Sequence, residues 1–268
     1  MASFSVVSNI ASTNAQANLS VTSIGLNKAL TRLSSGYRIN MAGDDAAGLA
    51  IANAYRSEQA ILNQGIRNAN DGLSVLSIKD GALNNVTQLV DRLATLASQA
   101  SSASGGVDIS KLQDEYNEVL AEIDREITVA DLDVVTGFSV FVSSETVATN
   151  GIIAGTIGAA DTTTLGLTAA AWADSSDAQA SLAEIEDAID DLGDVQNQVG
   201  IIQNRLQFAI SLAQSQFVNT KAAESRIRDA NIAEESANLT RFNILSQSGI
   251  AALAQANQSS AAVLALLR

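Results

Sequence analysis

Residues 1–27 contain no Asp, Glu, Lys or Arg, and neither do residues 242–267, although the chain between them is acidic enough to give a formal net charge of −14. Both ends read as helix, with apolar residues at helical spacing on a background of Ala, Ser, Asn and Gln. A helix that faces water normally carries charge on its outer side. An amphipathic segment whose far side is only small and neutral therefore expects protein neighbours on more than one side. The two ends are expected to pair with each other and with other copies of the chain.

Composition supports extensive burial and removes most chemistry. Charged residues make up 16% of the 268, against about 25% in ordinary soluble domains. Aromatics are 4%, so the core must be mainly aliphatic. Fifteen Lys and Arg, scattered, argue against nucleic acid as a partner. Cys and His are both absent, which removes disulfides, thiolate sites, His-based triads and the usual zinc sites. No cofactor, metal or catalytic activity is expected. Pro is also absent, which suits long unbroken helices. No apolar run is long enough to span a bilayer, so membrane insertion is not expected, and the first residues lack the basic and apolar regions of a secretory signal.

Along the chain, Val7, Ile10, Asn14, Ala17, Val21 and Ile24 form one stripe, and Leu19, Leu26, Leu30 and Leu33 an adjoining one. Gly36 offers a left-handed stop, and Asp44 an N-cap for a second helix reaching about Ser102, with Asp45 near its positive end. The seam of that helix reads Leu62, Ile66, Ala69, Leu73, Leu76, Asp80, Leu83, Thr87 and Val90, with polar intrusions at Asp80 and Thr87. A third helix spans about 109–130. Val134, Val135, Phe138 to Val142 and Ile152 to Ile153 then suggest strands, joined by a tight turn at Asn150 and Gly151. A fourth helix spans about 178–230, with Ile185, Ile189, Leu192, Val199, Leu206, Ile210, Ala213 and Phe217 near its seam. The last begins near Ile232 and places Leu239, Ile250, Leu253, Leu264 and Leu267 on one face, with Phe242 nearby. The predicted fold is mainly α, a long helical hairpin with paired terminal coiled-coil helices and a small β-hairpin at its outer tip.

Two stretches carry a family resemblance. LTRLSSGYRINMAGDDAAGLAI (residues 30–51) resembles the N-terminal signature of bacterial flagellins, and SRIRDANIAEESANLT (225–240) with LAQAN (253–257) resembles the C-terminal one. IRNANDGL (66–73) and QNRL (203–206) are further echoes. The likeness covers about residues 1–135 and 180–268, and is to a short form without large outer domains. TGFSV (136–140) stands where the family often has Thr-x-Phe-Asn-Gly, and Ser259 and Ser260 replace a usual Pro.

The resemblance implies a structural subunit that polymerises into the extracellular flagellar filament, the helical propeller of swimming. It implies an inner coiled-coil domain (1–43 with 231–268), a helical domain with a small β element (44–142 with 177–230) and a short exposed outer segment (143–176). The implied partners are other copies, the flagellar type III export machinery, an export chaperone, the filament cap, hook-junction proteins and other flagellins. Export would leave no cleaved signal. A hook–filament junction protein, or a membrane-active secreted helical protein, are the alternative readings.

The residues proposed for subunit contacts are Val7, Ile10, Val21, Ile24, Leu26, Leu30, Leu33, Leu239, Phe242, Ile250, Leu253, Leu264 and Leu267. Ile24, Leu26, Leu30 and Leu33 against Leu253, Leu264 and Leu267 are the first contacts to test. By resemblance, VDRLATLASQ (90–99) matches a helix recognised by a vertebrate innate receptor, with Arg92, Leu96 and Gln99 in place and Thr95 where Glu is usual. The hydroxyls of Ser143, Ser144, Thr146, Thr149, Thr162, Thr163 and Thr164 are candidates for O-glycosylation in an exposed segment.

Overall fold

The computed structural model describes residues 9–102, 108–143 and 151–266, the side chains of 260–266 excepted. Among the described residues five helices and one two-stranded sheet follow in the order α1 (Ile10–Ser35), α2 (Ala46–Ser101), α3 (Ile109–Val129), β1 (Thr136–Phe141), β2 (Ile152–Ile157), α4 (Ser175–Arg228) and α5 (Ile232–Leu266). They form two compact units, Met1–Ser57 with Thr220–Arg268, and Glu58–Asn219, with α2 and α4 contributing to both.

Local chemistry explains the helix ends. Gly36 closes α1 at φ 73°, its N–H donating to the Arg32 carbonyl. The expected cap of α2 shifts by one residue. Asp45 accepts from the Gly48 N–H at 2.9 Å, whereas the Asp44 carboxylate accepts from the N–H groups of Asn40 and Met41 and so closes the preceding turn.

The core of the second unit is aliphatic, as composition requires. Leu62, Ala69, Leu76, Leu83 and Val90 of α2 are buried as expected; the second buried column is Gly65, Gly72, Lys79, Val86 and Leu93, while Ile66, Leu73, Asp80 and Thr87 flank it half-buried, Ile66 packing against the core. The sheet is the reason. A side chain at Gly65 would strike the Val142 carbonyl, and one at Gly72 would meet Val140 and Phe138. Those helix-weakening glycines let β1 lie against α2. Thr87 is half-buried and accepts from the Gln196 amide at 3.0 Å. On α4, Ile185, Leu192, Val199, Leu206 and Ala213 are buried, while Ile189 is exposed.

β1 and β2 pair antiparallel from Thr136↔Ile157 to Phe141↔Ile152. The connection is therefore ten residues (142–151) and not a two-residue turn at Asn150 and Gly151. Val134 and Val135 precede the strand and are exposed, because the chain leaves the ladder there and Leu132 instead accepts from the Ala160 N–H at 2.9 Å.

The segment expected to be exposed at 143–176 is packed over much of its described length. Ile157, Ala160, Leu165, Leu167, Ala170 and Trp172 join the core. Polar side chains of α3 hold this strap. Asp124 accepts from the Thr162 N–H and hydroxyl, Asn117 from the Ala170 N–H at 2.9 Å, and Gln113 from the Trp172 N–H at 3.2 Å.

Candidate assembly interface

Helices α1 and α5 run antiparallel and meet along seams that repeat every three and four residues. Ser12, Ala15, Leu19, Thr22, Leu26, Ala29 and Leu33 face inward on α1; Glu235, Leu239, Phe242, Ser246, Gly249, Leu253 and Ala256 do so on α5. Asn9 caps α1 by accepting from the Ser12 N–H, and its own amide donates to the Ala256 carbonyl at 3.0 Å. The Ser12 hydroxyl lies 3.1 Å from the Asn257 side-chain oxygen. At the other end Arg32 meets Glu235 at 3.0 Å and Lys28 meets Asp44 at 2.7 Å, with Arg32 also 3.9 Å from Asp44. The Lys28 ammonium holds the Asp44 carboxyl below its ordinary range, and the Asn40 and Met41 N–H groups add to this against the opposing effect of burial.

A clamp joins the two connectors. Tyr37 and Asp229 form an antiparallel bridge, the Arg38 N–H donates to the Arg228 carbonyl at 2.7 Å, and the Ala230 N–H donates to Gly36 at 2.9 Å. The Arg228 guanidinium sits 4.2 Å above the Tyr37 ring. Nothing in residue pattern marks this clamp, since a short bridge between irregular segments has no periodicity.

Outside the seam the same helices present large aliphatic side chains. Ile10, Val21, Ile24, Leu30, Ile244 and Ile250 are each between 55% and 69% exposed. Leu26, Leu33, Leu239, Phe242 and Leu253 are half-buried in the seam. The suggested contacts of Ile24, Leu26, Leu30 and Leu33 with Leu253 do not form within one chain. The antiparallel register sets that part of α1 beside the first turns of α5, where Arg32 meets Glu235, while Leu253 lies toward Asn9 and Ser12. Val7 and the side chains of Leu264 and Leu267 lie outside the described residues. The seam glycines Gly25 and Gly249, and the outward Ile244, escaped the sequence reading, although the phase of the heptads points to them.

Two other proposed sets fare differently. Leu96 is fully buried in the core, so it cannot belong to a receptor-facing surface; Arg92 is exposed and paired with Glu115 of α3, and Gln99 is exposed. Of the hydroxyls, Thr163 and Thr164 are on exposed residues and both bond to Asp161, Thr162 is half-buried and bonds to Asp124, Ser143 is half-buried, and Ser144, Thr146 and Thr149 lie outside the described residues. Among the described residues no group of three or more acidic side chains could hold a metal, and no helix is long and apolar enough to cross a membrane.

Residues 6–131 match the bacterial flagellin N-terminal helical region and residues 182–267 the bacterial flagellin C-terminal helical region. A flagellin of Halalkalibacterium halodurans is 36% identical over 97% of this chain and 98% of its own length. The chain belongs to the bacterial flagellin family. Flagellin FlaB1 of Treponema pallidum is 33% identical, and a flagellin of Bacillus subtilis 32%, each over 97% of this chain and 98% of the relative. A crystal structure of Bacillus cereus flagellin superposes with a TM-score of 0.47 at 24% identity, covering 59% of this chain and 94% of that one. The chain is thus a short flagellin, a structural subunit that polymerises into the extracellular flagellar filament; neither the hook-junction nor the membrane-active reading is favoured.

Proposed function

We propose that polymerisation proceeds through the outward faces of α1 and α5. The observation that carries this is the exposure of Ile10, Val21, Ile24, Leu30, Ile244 and Ile250 on helices with almost no charge. Burying one such side chain contributes roughly 1.5–3 kcal/mol, so several buried together offset the entropy of ordering two chains. Leu26, Leu33, Leu239, Phe242 and Leu253 act within the pair, and Val7, Leu264 and Leu267 extend the contact set.

On this reading residues 1–43 with 231–268 form the inner domain of the filament. Residues 44–142 with 177–230 form the helical domain, to which the packed strap is assigned as well. The subunit's role is mechanical and not catalytic. Export machinery, a chaperone, the cap, the hook-junction proteins and other flagellins are its proposed partners, with export independent of a cleaved signal. Arg92 and Gln99 remain candidates for receptor contact, and Thr163 and Thr164 are the exposed described residues proposed for a glycan.

Replacing Val21 and Ile24 by Lys tests the face. Seeded growth followed by negative-stain microscopy should show no filament elongation, while circular dichroism of the subunit is unchanged. Elongation at the wild-type rate would sink the proposal.

A further inference from the structure

We infer that a two-part key fixes the register between α1 and α5, and that this register builds the composite apolar face met by a second copy; the second clause rests on the assembly reading above. The seams alone are ambiguous. Between the charged corner and the capped end they offer mostly Ala, Ser, Thr, Gly and Leu, and a shift by one heptad, about 10 Å along the helix, still sets small or apolar residues against each other. Two features read the register.

The first is steric. Phe242 lies over Gly25, where a Cβ would come within 2.6 Å of the ring. A slip of seven residues would bring Phe242 against Asn18 or Arg32, where no such gap exists, and would leave the Gly25 gap empty. A bulky ring beside a side chain and an unfilled void both destabilise.

The second is electrostatic. Arg32 and Glu235 pair at 3.0 Å, with Glu235 almost wholly buried. Slippage would leave that carboxylate desolvated without its partner. A buried ionic group is weak as a source of stability but is well suited to specifying register.

Native register also brings Val21 of α1 and Leu245 of α5 to the rim of one groove of about 490 Å³, floored by Leu19 and Gly249. One heptad of slip separates its two lips, so the face a second copy would meet exists only in register.

The chain has no Cys, which makes a direct test available. A Cβ at position 249 lies 3.9 Å from the Leu19 Cβ, within the spacing of about 3.5–4.5 Å that a disulfide needs. Leu19→Cys with Gly249→Cys therefore reports the native register, and Leu19→Cys with Ala256→Cys reports a slip of one heptad. Both pairs are oxidised in the full chain, free and polymerised, with the key intact or removed by Arg32→Leu, Glu235→Leu and Phe242→Ala.

With the key, the native link should exceed the slipped one; without it the ratio should fall by about tenfold or more, as loss of a buried ion pair and a packed ring implies. An unchanged ratio overturns the key. If the keyless chain loses its helical signal, Gly25→Leu alone and Gly25→Leu with Phe242→Gly decide. Native preference lost in the first and recovered in the second supports the key, and equal behaviour of the two overturns it. Sedimentation scores assembly separately. If the Leu19→Cys, Gly249→Cys chain with its key intact forms the native link but neither it nor the wild type ever sediments, the assembly reading is defeated and the key stands. A keyless chain that slips yet sediments normally overturns the link between register and face.

Discussion

The ring of Tyr116 on α3 meets that of Trp172 in the strap edge-on, with centroids 5.0 Å apart and planes at 62°. The indole N–H donates to the Ser181 hydroxyl of α4 at 3.0 Å, so one side chain ties the strap to two helices. The Tyr116 hydroxyl, by contrast, is buried and finds no hydrogen-bond partner among the described residues. Burial, and next the charge of Glu184, push the Tyr116 phenol up to about 12 from its ordinary 10.0.

Removing that hydroxyl should help. A buried, unpartnered O–H costs roughly 1–3 kcal/mol in desolvation, so Tyr116→Phe is expected to stabilise the second unit by about 1 kcal/mol. The pH dependence follows from the raised value. The folded state keeps the phenol proton longer than the unfolded state does, so the wild type loses stability as pH rises from about 10 toward about 12. The variant should lack that alkaline loss. Urea titrations at neutral and alkaline pH, read by tryptophan fluorescence, measure both effects, and equal pH sensitivity in the two proteins would refute the assignment.

Trp172 is the sole tryptophan of the chain, so its emission reports the packing of the strap. Trp172→Ala should cost about 3–5 kcal/mol, the range for deleting a large buried aromatic. Hydrogen exchange should then show lost protection of the Ala170 N–H, which is bonded to Asn117. If protection and denaturation midpoint both hold, the strap does not depend on its aromatic anchor.

The helices were readable from sequence because apolar period, the absence of Pro and a few caps all act locally. The charge-free ends were readable for a simpler reason, since the lack of charge is compositional. What sequence hid was long-range. A heptad seam places Ile66, Leu73, Asp80 and Thr87 on the inner face of α2, where they sit half-buried; the fully buried column one residue before them begins with Gly65 and Gly72, because the close approach of the strand region leaves room for glycine alone. The strap looked exposed because it lacks periodicity, yet its backbone is satisfied by Asp124, Asn117 and Gln113, polar residues that read as a solvent face. Leu96 was misplaced for a related reason: a motif identifies neighbours in sequence and does not say which side of the helix is covered.

The α2 glycines offer a paired test of that account. Gly81 has open space around it, so Gly81→Ala should gain up to about 1 kcal/mol from helix propensity. Gly65→Ala gains the same propensity but drives a methyl group into the Val142 backbone carbonyl. That atom cannot rotate away, so a net loss of about 1–3 kcal/mol is expected. Opposite shifts in thermal midpoint are the required outcome; two increases would mean that β1 has room to move off α2.

Asp44 supplies the acid counterpart. Its carboxylate, mostly shielded, accepts from two backbone N–H groups and lies 2.7 Å from the half-exposed Lys28 ammonium. Its pKa is lowered on folding, so the folded state binds this proton less tightly than the unfolded state. The resulting stabilisation is present above the ordinary carboxylate range and is lost as pH falls through that range and below it. Because Lys28 is solvated, the contribution is modest, about 1 kcal/mol, and weaker at high salt. Asp44→Asn should therefore unfold more easily than wild type at neutral pH, and the gap between the two should close on acidification. Thermal melts of both proteins across the acid range make the comparison. A gap that persists after Asp44 has been protonated would mean that the carboxylate's charge contributes nothing and that only the shape of the turn matters.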